Sequence, residues 1–279
     1  MPTEQYAYEL SIREVLPQLD IALVDVNGFS CCGTPLKSVN QMMTLTLSAR
    51  NLALAEKEGH DIYAPCSICH LGLSEAKHVL DSNHIMKKRI NTYLAEENLE
   101  YNGTSHIVHT IDLLHDVVGV DAIKNAVKKP LKNTKVAVHY GCHLIRPSEI
   151  GRPVDSENPQ KMESILKAIG ASPLEYTEKL DCCGGLLTAN LPESALTKTG
   201  QKLQRVKEQG FDVLVDACPW CHRQFDAKQE QAGKTVSATL NMPVLYLTQL
   251  LGVALGIKKE KLGFSLNQSP VASISFGGS

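Results

Sequence analysis

Three short segments hold residues whose types and spacing allow them to do chemistry together. HYGCH carries Cys142, LDCCGG carries Cys182 and Cys183, and ACPWCHRQF carries Cys218 and Cys221. Thirty-nine residues separate Cys142 from the pair, and thirty-four separate the pair from the C-x-x-C. Five thiols exceed the four ligands of a tetrahedral zinc site. They suit a larger centre that prefers thiolate, which means iron–sulfur.

The first part of the chain repeats this pattern with one piece missing. GFSCCGTP carries Cys31 and Cys32, and after thirty-three residues APCSICHLG carries Cys66 and Cys69. The CC pairs lie 151 positions apart and the C-x-x-C motifs 152 apart. A period of that length marks a duplicated domain rather than a solenoid of short repeats. The apolar run HTIDLLHDVVGV (109–120) likewise resembles YLTQLLGVALGI (246–257). The lone upstream cysteine has no counterpart, because counting back from Cys31 lands before Met1. The first half is therefore expected to lack its opening strand and its first thiol. An internal start at Met1, or a short missing native segment, is the economical reading.

The elements that must position these thiols alternate between strands and helices. Residues 4–18 have the apolar spacing of an amphipathic helix ending near Pro17, and IALVDV (21–26) reads as a short buried strand leading to Cys31. A long helix over 39–59 is closed by Gly59; DIYAP (61–65) is a strand ending at Cys66, whose C-x-x-C opens the next helix. Residues 84–99 read as a charged, solvated helix, and the basic stretch 122–135 as the linker. In the second half KVAVHYGC (135–142) is a strand ending at Cys142, 151–160 a polar loop, and 161–170 a helix. A helix over 191–210 precedes the strand FDVLVDA (211–217), which ends at Cys218; the strand PVLYL (243–247) and a short helix follow, and the tail from Asn267 reads as loose. The expectation is α/β: two tandem cysteine-rich domains, 1–130 (incomplete at its start) and 131–279, each a small, mainly parallel sheet flanked by helices. Thiols at strand ends fit the rule that sites gather at the carboxyl ends of such strands.

Composition narrows the function. The 279 residues allow two domains, and 43% apolar content allows each a core. A net charge of −2 and 5% aromatic residues give no reason to expect nucleic acid or an anionic membrane surface. Nine cysteines are too few for a secreted disulfide scaffold, and their odd number argues against full pairing. No signal peptide is visible, and the longest apolar stretch, 244–257, is too short to span a bilayer. A reducing cytoplasm with metal-held thiols is the consistent reading. A thioredoxin-like C-x-x-C would leave the CC pairs unexplained. Adjacent side chains on a strand point apart, so a bent CCG turn relieved by glycine is needed to aim both thiols at one centre.

The C-x39-CCG-x33-C-x-x-C element resembles the CCG domain of the B-type subunit of heterodisulfide reductase, and its duplication covers nearly the whole chain. Related domains occur in thiol:fumarate reductases, glycolate oxidase iron–sulfur subunits and sulfur-oxidising heterodisulfide reductase-like complexes. The resemblance implies a non-cubane [4Fe-4S] cluster on each complete five-cysteine motif, with a disulfide cleaved between the two. Carried over, Cys142, Cys182, Cys183, Cys218 and Cys221 hold one cluster, and Cys31, Cys32, Cys66 and Cys69 hold the other. The second set is one thiol short, which leaves a four-cysteine cubane open there. The implied protein is the catalytic iron–sulfur subunit of a heterodisulfide reductase-like complex, acting on a disulfide of the coenzyme M–coenzyme B type found in methanogenesis or a related one. Cys31, Cys32, Cys182, Cys183 and His143 would be its catalytic residues. The alternative is a non-catalytic electron-transfer subunit of a flavin-linked oxidoreductase complex. Implied partners are a ferredoxin-like subunit of the C type, a flavin-containing subunit of the A type and a small thiol or disulfide. A zinc-stabilised scaffold is the third reading.

Histidines adjoin the cysteines: His70 and His222 follow the C-x-x-C motifs, and His143 follows Cys142. Each is read either as a donor to cluster sulfur or a leaving thiolate, or as a structural cap. His139 reads as packing, Arg146 and Arg223 as surface charges that can attract an anionic thiol, and Trp220 as a shield for the second centre.

Overall fold

The runs VAVH (136–139) and VLVD (213–216) lack polar alternation, the pattern of a strand covered on both faces. In the computed structural model, which describes residues 5–150 and 156–274, both are buried throughout. Parallel strands flanked by helices form the α/β fold. The chain separates into two compact units, one of Val24–Thr110 with a stretch beginning at His143, the other of residues up to Leu23, Ile111–Cys142 and Glu157 onward.

In the first of these units a helix, Gln41–Glu58, starts at Asn40, whose side chain accepts the Met43 N–H, and ends at Gly59 in the left-handed region. Strand β1 (Ile62–Tyr63) pairs in parallel with β2 (Ile107–Val108). Cys66 caps the helix Ser67–Ser82, as its position after a strand predicts. Leu52, Leu80, Ile90 and Tyr101 form the core between these helices and the helix His84–Leu94.

The other unit is built on four parallel strands: β3 (Lys135–His139), β4 (Ser172–Pro173), β5 (Val213–Asp216) and β6 (Val244–Tyr246), in the order β4-β3-β5-β6. The register pairs Val136 with Val213 and His139 with Asp216. The carboxyl ends of β3 and β5 are thus level, and the chain segments leading to Cys142 and Cys218 leave the same sheet edge. The helix Pro192–Glu208 turns Ala195, Thr199, Leu203 and Val206 inward, and Pro192 in its first turn costs it no hydrogen bond.

Four expectations change. The 130/131 division does not follow the contacts: the first helix, Tyr6–Val15, and residues 111–130 belong with the second half. Tyr8 accounts for this, stacking on Tyr246 at 4.1 Å and donating its hydroxyl to Ala217 O at 3.2 Å, while Ser11 and Thr248 hydroxyls meet at 2.7 Å. The basic stretch is no linker, because the Lys128 and Lys129 N–H groups donate to Ala254 O and that of Leu131 to Ile169 O. Residues 21–26 form no strand; Val24 is 62% exposed, and a run buried on neither face has nothing to hold it extended. The tail is tied down as far as Ile274, with Asp226 accepting the N–H groups of Gln268 and Ser269 and Asn267 donating to Val244 O. Residues 275–279, and 151–155 of the expected polar loop, lie outside the described residues.

The duplication survives in backbone detail. Gly33 and Gly184 follow the CC pairs at φ +78 and +83. Ser48 donates to Cys32 O at 2.8 Å, and Thr199, 151 positions on, donates to Cys183 O at 2.9 Å. His70 meets His109 edge-on, while His222 stacks on Tyr246.

Truncating Tyr8 to Ala should cost about 3–5 kcal/mol of stability, the range for large buried aromatics, whereas Tyr8→Phe should cost about 1 kcal/mol for its hydrogen bond; urea unfolding checks the ratio. A Cβ at Gly184 would stand 2.7 Å from Ala195 O, while one at Gly210 meets nothing within 4 Å. Both glycines have positive φ, so Gly210→Ala should cost about 1–2 kcal/mol and Gly184→Ala clearly more, read as the difference in unfolding midpoints.

Candidate metal centre

Three segments deliver the second set of thiols. β3 ends at His139, the chain turns through Gly141, and Cys142 opens the helical turn Cys142–Ile145. A Cβ on Gly141 would lie 3.2 Å from Cys221 Sγ, so only glycine lets this turn approach the sulfurs so closely. At the CCGG turn, Gly184 N–H donates to Cys182 Sγ and Gly185 N–H to Cys183 Sγ, both at 3.3 Å. This is the bent turn that adjacent cysteines require. β5 then hands the chain to Cys218, which caps the helical turn Pro219–His222 containing Cys221.

The five sulfurs form one array. Cys142 Sγ lies 3.9 Å from Cys182 Sγ. Cys183 is in hydrogen-bonding reach of Cys182 and Cys221, and Cys221 of Cys183 and Cys218. Cys182 is exposed, Cys142 half-buried, and Cys183, Cys218 and Cys221 are buried. The array runs from the surface into the core.

Its electrostatics favour one thiolate and resist more. Hydrogen bonds from Cys142, then Cys183 and the Gly184 N–H, hold the Cys182 thiol well below its ordinary value. Cys142 and Cys183 are pushed up, chiefly through their contact with Cys182, and Cys221 through Cys183 and Cys218. Buried thiols that raise one another's pKa need a cation to ionise together. The donor set, all soft sulfur and more than four in number, fits an iron–sulfur cluster better than a single zinc ion.

Two polar residues complete the basin, and neither stands out as functional in the sequence. The His139 ring does pack, edge-on to Phe225 at 4.8 Å, but one ring nitrogen lies within 4.8 Å of the Cys183 and Cys221 sulfurs. Lys202 Nζ, 2.8 Å from His139 Nδ1, is buried and its pKa falls to about 8 by desolvation. The available signals are a histidine ending an apolar strand three residues before a cysteine, and a lysine inside the buried stripe of its helix.

In the first half the structure brings Cys32 and Cys69 together, and that contact, with burial second, pushes the Cys32 thiol up. Cys66 is buried one helical turn before Cys69, and Cys31 is exposed. Thr34 stands where the second half has Gly185, its hydroxyl 3.2 Å from Cys32 Sγ.

The remaining candidates divide. His222 is built into the fold, with Nδ1 3.2 Å from Asp216 and Nε2 3.2 Å from Asn267; burial raises Asp216 to about 6. His70 is buried, and His143 is half-buried in the turn after Cys142. Trp220 packs against the cluster of side chains around Cys183, Cys218 and Cys221; Arg146 is exposed and Arg223 half-buried.

The cysteine-rich domain family (CCG) matches residues 2–74 and again 136–226. The B subunit of a ferredoxin/F420H2-dependent CoB–CoM heterodisulfide reductase of Methanosarcina acetivorans is 35% identical over 99% of this chain and 92% of its own length. The 8-methylmenaquinol:fumarate reductase membrane anchor subunit of Wolinella succinogenes is 39% identical over 92% of this chain and 89% of its own. The crystal structure of a hypothetical protein from Helicobacter pylori shares the fold, with a TM-score of 0.76 at 21% identity over 97% of this chain and 49% of that one. Matched in both halves by the cysteine-rich domain and over nearly its whole length by such relatives, the chain belongs to the family of heterodisulfide reductase B subunits.

Proposed function

We propose that this chain is the iron–sulfur subunit at which a heterodisulfide reductase-like complex reduces a small disulfide. Cys142, Cys182, Cys183, Cys218 and Cys221 hold one [4Fe-4S] cluster of non-cubane type, and Cys31, Cys32, Cys66 and Cys69 hold a second. The observation that carries the reading is the convergence of five thiols from three distant segments, with Cys142 and Cys182 sulfurs 3.9 Å apart. Bound there, such a cluster supplies one-electron transfer and an iron site for a substrate sulfur.

The chain's own residues do the rest. The Gly184 and Gly185 N–H groups stabilise negative charge on Cys182 and Cys183. Leu214, Phe225 and Val244 belong to the buried apolar cluster that also holds Cys183, Cys218 and Cys221, which keeps water from these three thiols. Cys182, at the mouth, also lines a cleft of about 690 Å³ together with Lys198, Lys202, Arg205, Glu178 and Asp181. That is the size of a small-molecule site, with cationic groups for an anionic thiol. The net reaction is RS–SR′ + 2e⁻ + 2H⁺ → RSH + R′SH, and His143, next to Cys142, is the proposed proton source for a leaving thiolate. Electrons come from a ferredoxin-like C-type subunit or a flavin-containing A-type subunit, in keeping with the ferredoxin in the Methanosarcina relative's name. The coenzyme B–coenzyme M disulfide of that name is one candidate substrate.

A second reading, in which the clusters only relay electrons within a flavin-linked complex, draws on the fumarate reductase relative. That relative is called a membrane anchor; among the described residues here, no helix is long and apolar enough to cross a membrane.

Anaerobically purified protein should be brown and carry several irons with matching sulfide; a colourless zinc protein defeats both redox readings. Cys182→Ser should remove the EPR signal of the second-half cluster, and an unchanged signal takes Cys182 off the ligand set. A change of that signal on adding candidate thiols favours reduction at the cluster, and indifference to every thiol favours the relay. In the metal-free chain, iodoacetamide should label Cys182 well ahead of Cys183, Cys218 and Cys221; peptide mapping that finds equal rates contradicts the thiolate assignment.

A further inference from the structure

The sulfur ligands leave one buried polar atom without a purpose. His139 is 1% exposed, and its Nε2 is the only buried side-chain nitrogen or oxygen among the described residues that lacks a hydrogen-bond partner. Leaving such a group unsatisfied costs about 1–3 kcal/mol, so it calls for an explanation. Nε2 faces the basin: a Cβ on Gly141 would lie 3.9 Å from it and 3.2 Å from Cys221 Sγ.

The other ring nitrogen decides what Nε2 can do. Nδ1 is 2.8 Å from Lys202 Nζ, which also donates to the carbonyls of Glu178 at 2.7 Å, Lys179 at 3.1 Å and Asp181 at 3.2 Å. Four acceptors around one nitrogen call on all three protons of an ammonium, which has no lone pair to accept with. Nδ1 is therefore the acceptor, and the proton of the neutral ring sits on Nε2. A metal-ligating histidine has the opposite arrangement, donating its second N–H to a carboxylate or carbonyl. Nε2 is a donor, and it is turned toward sulfur.

We propose that His139 donates its Nε2 proton to the sulfurs held at Cys183 and Cys221, with Lys202 fixing the tautomer and lending a buried positive charge. The pair thereby raises the reduction potential of the group bound there, since both N–H···S bonds and nearby cations favour the electron-richer state. The proposal rests on the cluster reading above. The duplication separates this role from a merely structural one. Asn51 occupies the position matching Lys202 in the first half, and it too ties down the loop before its CC pair, bonding Ser30 N and O at 3.0 and 2.9 Å. Anchoring the loop is thus common to both halves, whereas at this position the charge occurs only in the second. Both are positioning residues, not ligands.

The test uses the full chain, loaded anaerobically, with the signal lost in Cys182→Ser identifying the second-half cluster. His139→Leu should retain iron and sulfide while its one-electron reduction equilibrium shifts at least tenfold against reduction, about 59 mV. Pulsed EPR in D2O should show the loss of an exchangeable proton coupling in that variant. His139→Gln, which keeps an N–H donor, should stay closer to wild type on both measures. An iron-loaded His139→Leu with unchanged potential and proton coupling overturns the proposal, as does a nitrogen coupling showing His139 bound to iron. If His139→Leu does not load, Lys202→Met decides: a lowered potential supports the pair, and an unchanged one, or failure to load, overturns it. Wild-type protein without iron would instead sink the cluster reading, and this proposal with it.

Discussion

Sulfurs as close as those of Cys142 and Cys182 cannot both be anionic without a cation among them. At 3.9 Å, two negative charges repel by about 4 kcal/mol at an effective dielectric constant of about 20. The sulfurs' hydrogen bonds favour ionisation at Cys182, where the Gly184 N–H and neighbouring thiols receive the charge, and push the Cys142, Cys183 and Cys221 thiols up. The fold supplies what makes this crowding possible. Level ends of β3 and β5 launch two of the three segments from one sheet edge, and a left-handed glycine bends the third so that adjacent side chains stop pointing apart.

The two halves share this scaffold and differ in their electrostatics. Both bend at a glycine after the CC pair, both tie the second cysteine's carbonyl to a hydroxyl on the following helix, and both open a helix with the C-x-x-C. Only the second buries a lysine behind the sulfurs, where the first has Asn51 at the matching position. Duplication copied the backbone that aims the thiols; the charges around them diverged.

What the sequence revealed was local. Cysteine spacing, the glycines ending helices 41–58 and 161–168, and the strands at 135–139 and 213–216 all depend on near neighbours, and they form where expected. What stayed hidden depended on distant ones. The first helix reads the same whether it joins the early or the late half, until Tyr8 finds Tyr246. The run 21–26 has the residues of a strand and no partner to pair with. Lys202 falls on the inward stripe of its helix, but only the carbonyls of residues 178–181, distant in sequence, give its ammonium a partner there. His139 could be classed as packing because it does pack, on Phe225, with its other edge turned to sulfur.

The column of rings formed by Tyr8, Tyr246 and His222 bears on the order in which the protein matures. His222, next to Cys221, lies 3.7 Å from Tyr246, which stacks in turn on Tyr8, and the neighbouring Ser11–Thr248 contact spans 237 residues. A ribosome releases the first helix long before the residues it must meet, so the brace behind the C-x-x-C closes only when nearly the whole chain has emerged. Contacts of such long range are slow to form, because loop-closure entropy opposes them. Cys183, Cys218 and Cys221 are therefore enclosed only after β6 has been made.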